Sequence, residues 1–294
     1  MKNTFLLVAL LSIATSCKAQ DIIPEGAELT LVAEEYEFTE GPAVDKNGNV
    51  YFTDQPNDRI VKWDASTNSV SDWMKPSGRS NGLYFDHDGN LLSCADEKNE
   101  LWRIDMEKNK TVLVSEFEGK LLGGPNDLWV APNGGIYFTD PLYNRPWWTP
   151  TENRIDERRV YYITPSNGEV KIVAKDFVMP NGIIGTADGK TLYIADIGDK
   201  KTYVFTIKED GTLSERKLFC ELGSDGMTLD NQGNVYMTGD GVTVFDKNGK
   251  QIKHIAVPEK WTANVTFGGP QQNILFITAM DSVYTLEMDV NGVR

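Results

Sequence analysis

Six oxygen-bearing side chains recur along this sequence, each at the start of a short apolar run. They are Glu40, Asn81, Asn126, Asn181, Asp225 and Asn264. Carboxylate and carboxamide oxygens, completed by water, are the ligands that hard divalent cations prefer. Oxygen-only ligands favour Ca²⁺ over Zn²⁺, and the chain has no Cys or His spacing typical of a zinc site. If these side chains meet in the fold, they predict a calcium-type site.

A repeated unit carries these side chains. Each copy has an apolar run, a turn rich in Gly, Asn or Asp, a second apolar run and a final aspartate. Asn-Gly and Asp-Gly between apolar runs indicate β-hairpins. Subtracting the six residue numbers gives intervals of 41, 45, 55, 44 and 39 residues, and about 40 to 50 residues is typical of one four-stranded propeller blade. The sequence predicts an all-β fold, a six-bladed β-propeller over residues 21–294.

The ring of blades must also close. The segment Glu28–Glu34 is an additional strand-like run before the first repeat. An open ring would leave unpaired strand edges. We therefore expect this N-terminal strand to complete the sixth blade beside Ser282–Met288.

The hairpins determine which side chains share a face. Paired strands of a hairpin are antiparallel, so the start of the first and the end of the second lie on the same face. The six side chains should therefore form a ring, surrounded by the aspartates that end each unit: Asp54, Asp96, Asp140, Asp196, Asp240 and Asp281. Two alternatives remain. The Asn-Gly and Asp-Gly pairs could be turn chemistry alone, and the outer aspartates could bond backbone amides.

One connection is longer than the others. The segment Pro141–Arg159, called the lid below, should project over the same face and contains Tyr143, Trp147 and Trp148. Long connections in compact domains are usually functional or disordered, and aromatic faces can pack on a sugar ring. A loop packed on the neighbouring blade is the alternative. The predicted substrate-binding residues are Asn126, Asp127, Asp140, Tyr143, Trp147, Trp148 and Asn264.

Charge and histidine content exclude several functions. The net charge of −14 disfavours nucleic acid and anionic lipid surfaces as partners. His87 falls in a turn on the face opposite the ring and His254 in an outer strand region, so a Ser-His-Asp triad is not expected. Cys94 and Cys220 fall in blades that should not be neighbours, so no disulfide is expected between them.

The first twenty residues indicate export. Lys2 is followed by an apolar run, Phe5–Ala14, that is too short to span a membrane and is typical of a signal peptide. Cleavage before Cys17 would leave a lipid-anchored cysteine, whereas cleavage after Ala19 would release a soluble protein. We expect a periplasmic protein or an outer-membrane-anchored lipoprotein, and both outcomes remain open. The sequence does not indicate an oligomeric state.

Several motifs resemble the gluconolactonase and senescence-marker-protein family, the regucalcin-like six-bladed propellers. They are EGP at Glu40, SNGL at Ser80, the block from Glu118 to Tyr143, MPNGI at Met179, SDGM at Ser224 and NVTFGG at Asn264. The resemblance covers nearly all of the chain after the signal. Two positions depart from the family pattern, Gly123 in GGPND and the pair Ala95-Asp96 at the end of the second repeat, and both leave the identity of the sugar open.

This resemblance implies an activity and a site. The metal ligands would be Glu40, Asn181 and Asp225, with Asn126 as a further metal ligand or in the substrate shell. The ion would be Ca²⁺, with Mn²⁺, Mg²⁺ or Zn²⁺ as alternatives. The reaction would be hydrolysis of a sugar lactone such as gluconolactone, with Asp225 activating or orienting the water. Alternatives are phosphoester hydrolysis of the diisopropyl fluorophosphatase type and a non-catalytic propeller with structural calcium.

Overall fold

Six four-stranded antiparallel sheets surround a central axis. The structure, a computed structural model, describes residues 21–293. Its sheets follow the chain, and their first strands contact one another in cyclic order, with the sixth returning to the first. Apart from one 3-10 turn at Gln55–Asn57, the regular structure of these residues is β. The predicted six-bladed β-propeller is confirmed.

The strands are numbered in chain order and grouped by blade. The N-terminal strand is β1 (Thr30–Ala33). Blade 1 contains β2 (Thr39–Val44), β3 (Val50–Asp54), β4 (Arg59–Asp64) and β5 (Ser69–Met74). Blade 2 contains β6 (Ser80–Phe85), β7 (Leu91–Ala95), β8 (Glu100–Ile104) and β9 (Lys110–Val114). A small hairpin follows, β10 (Glu116–Phe117) and β11 (Lys120–Leu121).

The remaining blades follow the same order. Blade 3 contains β12 (Leu128–Val130), β13 (Ile136–Asp140), β14 (Arg159–Ile163) and β15 (Val170–Ala174). Blade 4 contains β16 (Pro180–Gly185), β17 (Thr191–Asp196), β18 (Lys201–Thr206) and β19 (Lys217–Cys220). Blade 5 contains β20 (Met227–Leu229), β21 (Val235–Gly239), β22 (Gly241–Phe245) and β23 (Gln251–Ile255). Blade 6 contains β24 (Thr262–Gly268), β25 (Ile274–Ala279) and β26 (Ser282–Glu287).

The N-terminal strand closes the ring as expected. Strand β1 pairs antiparallel with β26, with Thr30 opposite Thr285. Blade 6 is therefore completed by a strand from the other end of the chain. Blade 1 is also tied to blade 6, because the Thr39 hydroxyl donates to the carbonyls of Met280 (3.1 Å) and Ser282 (2.9 Å). These contacts join the two ends of the repeat array and remove an exposed edge.

The apolar core lies between adjacent blades. Strand β3 is buried at every position, whereas the outermost strand of the same blade, β5, has several exposed side chains. Phe52 of blade 1 packs on Phe276 of blade 6, with ring centroids 5.6 Å apart. Burying one such side chain stabilises the fold by about 1.5 to 3 kcal/mol. This packing holds the inner strands close enough for their polar ends to meet on the axis.

The described residues include both cysteines of the propeller but not the predicted signal peptide. Cys94 and Cys220 are both buried and unpaired, as expected. No helix within residues 21–293 is long and apolar enough to cross a membrane. The predicted signal peptide, residues 1–20 with Cys17, lies outside the described residues and stays a prediction.

Candidate metal and active site

Two acidic side chains approach each other at the axis. Glu40 of β2 is buried, and its Oε2 accepts hydrogen bonds from the Gly41 amide (2.6 Å) and from Asn264 Nδ2 (3.0 Å). Asp225, just before β20, is half-buried. Its Oδ1 accepts from Asn181 Nδ2 (2.6 Å) and its Oδ2 from Trp261 Nε1 (2.6 Å). Both carboxylates are thus held in place, and only Asp225 keeps appreciable exposure.

Their electrostatics indicate a need for positive charge. Burial raises the pKa of Glu40 well above its ordinary value, and the negative charges of Asp225 and Asp127 raise it further. Loss of solvation also raises the pKa of Asp225 to about 6, although the hydrogen bonds from Trp261 and Asn181 lower it. Like charges brought together away from water destabilise each other unless a proton or a cation intervenes.

The surrounding donors fit a hard divalent cation. Asn181 is buried, and its Nδ2 donates to Asp225 and to the Tyr143 hydroxyl (2.9 Å). Its carbonyl oxygen, Oδ1, is buried with no hydrogen-bond partner among the described residues. An unpaired oxygen beside two carboxylates is what an oxygen-ligated cation requires. Within residues 21–293, no group of three or more His, Cys, Asp or Glu side chains forms a metal-binding cluster. A cation here would therefore depend on carboxamides as well as carboxylates.

Glycines next to the ring let neighbouring blades approach each other closely. Gly82, Gly182 and Gly226 follow Asn81, Asn181 and Asp225, and their backbones do not have positive φ. A Cβ on Gly226 would lie 1.9 Å from Cγ and Oδ1 of Asn264 in the next blade. These glycines are therefore present for close approach between blades, and turn geometry does not explain them. Gly41, within β2, has a φ of +49°, and a Cβ there would also lie 2.0 Å from the Asn81 carbonyl oxygen of blade 2.

Asp127 and Asn264 lie deeper along the axis than Asp225. The backbone amides of Asp127, Asn264 and Gly226 make equivalent hydrogen bonds. Each donates to a threonine hydroxyl of the second strand in its blade, at 3.2, 3.0 and 2.8 Å. Asp127 and Asn264 therefore occupy the level of Gly226, one residue below Asp225. Burial raises the pKa of Asp127 to about 7, the Leu128 amide lowers it, and Asp225 raises it.

A cavity of about 590 Å³ reaches these two side chains from the other face. Asp127 and Asn264 line its inner end, and the hairpin turns of blades 1 and 2 line its mouth. His87 also lines it and contacts the Ala131 carbonyl at 3.0 Å. The expected position of His87 opposite the ring is confirmed.

The lid covers the ring face and contacts the ring through Tyr143. Trp148 is buried, and its Nε1 donates to the Asp96 carbonyl (2.7 Å), so it anchors the lid to blade 2. Trp147 is half-buried, and the Arg79 guanidinium lies over its indole, with Arg79 Cζ 4.4 Å from the ring centroid. Of the three lid aromatics, Tyr143 is brought to the metal-ligand candidates, Trp147 lies over Arg79, and Trp148 fills the contact with blade 2.

Three of the six outer aspartates, Asp54, Asp140 and Asp196, accept hydrogen bonds from backbone amides. Asp140 is fully buried, and its Oδ2 accepts from the Gly123 amide (2.9 Å). Asp196 accepts from the amides of Val178 (2.8 Å) and Met179 (2.7 Å). Asp96 instead binds side chains, Arg145 Nε (2.5 Å) and Gln55 Nε2 (3.1 Å). Asp140 therefore contacts the segment before Asn126. Among the described residues it makes no hydrogen bond with the lid aromatics.

Sequence reasoning missed Trp261 and Arg145. The repeat alignment starts the last unit at Asn264, but β24 begins at Thr262. Trp261 therefore lies at the ring end of this strand, where its indole reaches Asp225. A tryptophan three residues ahead of Asn264 was the available signal. Arg145 was hidden within the lid, and no sequence pattern pairs it with Asp96.

Comparisons with known proteins agree with this geometry. The family model described as the SMP-30/Gluconolactonase/LRE-like region matches residues 38–281. A gluconolactonase of Zymomonas mobilis is 26% identical, over 92% of this chain and 84% of that protein. A diisopropyl-fluorophosphatase of Loligo vulgaris is 26% identical, over 90% of this chain and 93% of its own length. The structure of a gluconolactonase from Xanthomonas campestris superposes with a TM-score of 0.82 and 28% identity, covering 89% of each chain.

Proposed function

The chain belongs to the SMP-30/gluconolactonase/LRE-like family, and we propose that it hydrolyses the ring ester of a sugar lactone such as gluconolactone. The reaction would use a bound divalent cation, with Ca²⁺ as the first candidate. The observation that carries this proposal is the pair Glu40 and Asp225, held together on the axis beside the unpaired Oδ1 of Asn181. Relatives named for lactone hydrolysis support the reaction class.

Glu40, Asn181 and Asp225 would hold the cation, with Asn126 next to them. When bound, the cation acts as a Lewis acid that polarises the lactone carbonyl. Glu40 is held by the Gly41 amide and Asn264, so its carboxylate is oriented before any ligand arrives. The two carboxylates together offset the charge of a divalent cation. Oxygen-only ligands favour Ca²⁺, and Mn²⁺, Mg²⁺ and Zn²⁺ are the alternatives that the experiment separates.

Asp225 is the candidate base. It is the more exposed of the two carboxylates, and hydrogen bonds from Trp261 and Asn181 fix its plane. A fixed carboxylate at the open side of the ring can accept a hydrogen bond from the attacking water and take its proton as the ester carbon is attacked. Tyr143, hydrogen-bonded to Asn181, places the lid over this position. A closed lid limits bulk water around the reacting ester.

The test measures proton release from a panel of sugar lactones, glucono-δ-lactone among them, before and after chelation. Activity should vanish with chelator and return with the working cation, and titration with each metal ion identifies that ion. The Asp225→Asn variant should lose about 100-fold or more in kcat, since general bases contribute at least this factor, and should bind the cation more weakly. The control is Asp88→Asn, an exposed aspartate of a hairpin turn on the opposite face.

The same assay decides between this proposal and its alternatives. Full activity in Asp225→Asn would refute the site. Fluoride release from diisopropyl fluorophosphate without lactone turnover would favour phosphoester hydrolysis, which the similarity to the Loligo vulgaris enzyme suggests. Cation binding without turnover of either substrate would favour a binding protein.

A further inference from the structure

Arg79, on the ring face, is one of three arginines within residues 21–293 that form no ion pair; the others are Arg158, at the end of the lid, and Arg216, just before β19. Ion pairs engage Arg59, Arg103, Arg145, Arg154 and Arg159. Arg79 forms no ion pair with any described residue, and its Nη1 donates only to the Pro56 carbonyl (2.9 Å). An arginine has five N–H donors. Most of the Arg79 donors therefore have no acceptor among the described residues.

The position of Arg79 is fixed by its backbone. Its amide donates to Asp58 Oδ1 (2.7 Å), and its carbonyl accepts from the Asp96 amide (3.4 Å). Its φ of +50° lies in the left-handed region, which a side chain rarely adopts and which surrounding contacts must stabilise. Asn81 of the ring follows two residues later. Arg79 is therefore held at the edge of the ring, next to the candidate site.

A stack of alternating aromatic and cationic groups connects Arg79 with that site. The guanidinium groups of Arg79 (4.4 Å) and Arg145 (5.7 Å) both lie over the Trp147 indole. Arg145 also lies 5.3 Å from the ring centroid of Tyr143, whose hydroxyl contacts Asn181. The charge of Arg145 is offset by Asp96, whereas that of Arg79 is not. The positive charge available to a ligand is therefore at the Arg79 end of the stack.

A second unpaired donor lies beside Arg79. Trp147 Nε1 is buried and has no hydrogen-bond acceptor among the described residues. A buried indole N–H without an acceptor costs free energy. Arg79 and Trp147 thus present N–H donors and no acceptor, and an anionic oxygen would satisfy both.

We propose that Arg79 and Trp147 bind a negatively charged substituent of the substrate, so that the preferred lactone is an acidic one carrying a carboxylate or phosphate group away from its ring ester. This inference rests on the proposed lactone hydrolysis. The ester is placed at Glu40, Asn181 and Asp225, and the charged end extends under the lid toward blade 2. A neutral lactone can occupy the same site but leaves both donors unpaired.

The first experiment compares kcat/KM for three lactones of similar size: glucono-δ-lactone, a glucaro-lactone with a free carboxylate, and 6-phosphoglucono-δ-lactone. We expect the native protein to favour an anionic lactone by about tenfold or more, the factor that one charge-assisted hydrogen bond contributes. Arg79→Gln should reduce the anionic-to-neutral ratio by about tenfold. The preferred anion shows whether the group is a carboxylate or a phosphate.

The matched control is Arg103→Gln. Arg103 is 44% exposed and paired with Asp86 at 3.1 Å, far from the lid. It should leave the ratio unchanged. Equal kcat/KM for neutral and anionic lactones in the native protein, or an unchanged ratio in Arg79→Gln, would overturn the inference while the lactonase proposal stands.

The second experiment does not depend on turnover. Calorimetry measures the binding of glucarate, 6-phosphogluconate and gluconate to the native protein and both variants. Tighter binding of glucarate or 6-phosphogluconate than of gluconate, lost in Arg79→Gln and kept in Arg103→Gln, supports the inference even if no lactone is hydrolysed, in which case only the proposed reaction fails. Equal binding of all three refutes it.

Discussion

Replacing Trp261 by phenylalanine tests whether Asp225 acts only when its carboxylate is oriented. The substitution keeps an aromatic ring and removes one hydrogen bond, from Nε1 to Asp225 Oδ2 at 2.6 Å. The acceptor is half-buried, and Asn181 holds its other oxygen at 2.6 Å. In the variant, only the hydrogen bond from Asn181 orients the Asp225 carboxylate, which can therefore rotate.

The magnitude follows from the nature of this bond. A hydrogen bond to an ionised group contributes about 1.5 to 3 kcal/mol, which corresponds to a loss of about 10-fold to about 150-fold in kcat/KM. The assay is proton release from glucono-δ-lactone at saturating cation. A titration with the cation, followed by intrinsic fluorescence or calorimetry, separates weaker cation binding from slower turnover.

A matched control exists in blade 2. Trp102 Nε1 donates to Glu100 Oε2, also at 2.6 Å, in strand β8 away from the ring. Trp102 is buried, as part of the blade 2 core, so Trp102→Phe removes the same kind of bond and should lower stability. It should leave kcat/KM within about twofold, because Trp102 lies away from the ring. Equal losses in both variants would show that Trp261 acts through general stability and would refute the orientation argument.

Two further substitutions test the construction of the ring. Gly226→Ala should destabilise the fold by about 1 to 3 kcal/mol and lower activity, because the new Cβ displaces the Asn264 carboxamide that binds Glu40; unchanged urea unfolding would contradict this close approach. Burial raises the pKa of Asp140 from 3.8 to about 7, so the folded state holds a proton that the unfolded state has already lost, and stability falls as pH rises through that window. Asp140→Asn removes this loss, which is on the order of 4 kcal/mol, so its melting temperature should exceed that of the native protein at pH 8 by more than at pH 4; an equal difference at both pH values would contradict the assignment.

Much of the fold could be predicted because its information is local. Hairpin turns and apolar runs recur at blade length, and each is readable within about 15 residues of sequence. The closing strand β1 followed from the need to pair an open edge. The shared face of Glu40, Asn181 and Asp225 was predicted for the same reason, since each starts a unit and antiparallel pairing brings these starts together. Their selection as metal ligands came from the family resemblance.

The depth of each side chain along the axis was not predictable in this way. The sequence aligns Asn264 with Asp225, but the structure places it one level lower, beside Asp127 and at the inner end of the opposite cavity. A shift of one residue depends on how neighbouring blades pack, because bulges such as the one between Thr262 and Asn264 change the register. No local pattern records this shift.

The sequence by itself determined the number of blades, their closure and the oxygen chemistry at their inner ends, because these depend on periodicity and residue type. Only the tertiary structure decided how those ends meet. It brought Trp261 to Asp225 and placed Trp147 against both Arg79 and Arg145. These contacts join blades and loops far apart in the chain, and the close packing of neighbouring sheets, not any local pattern, sets their distances.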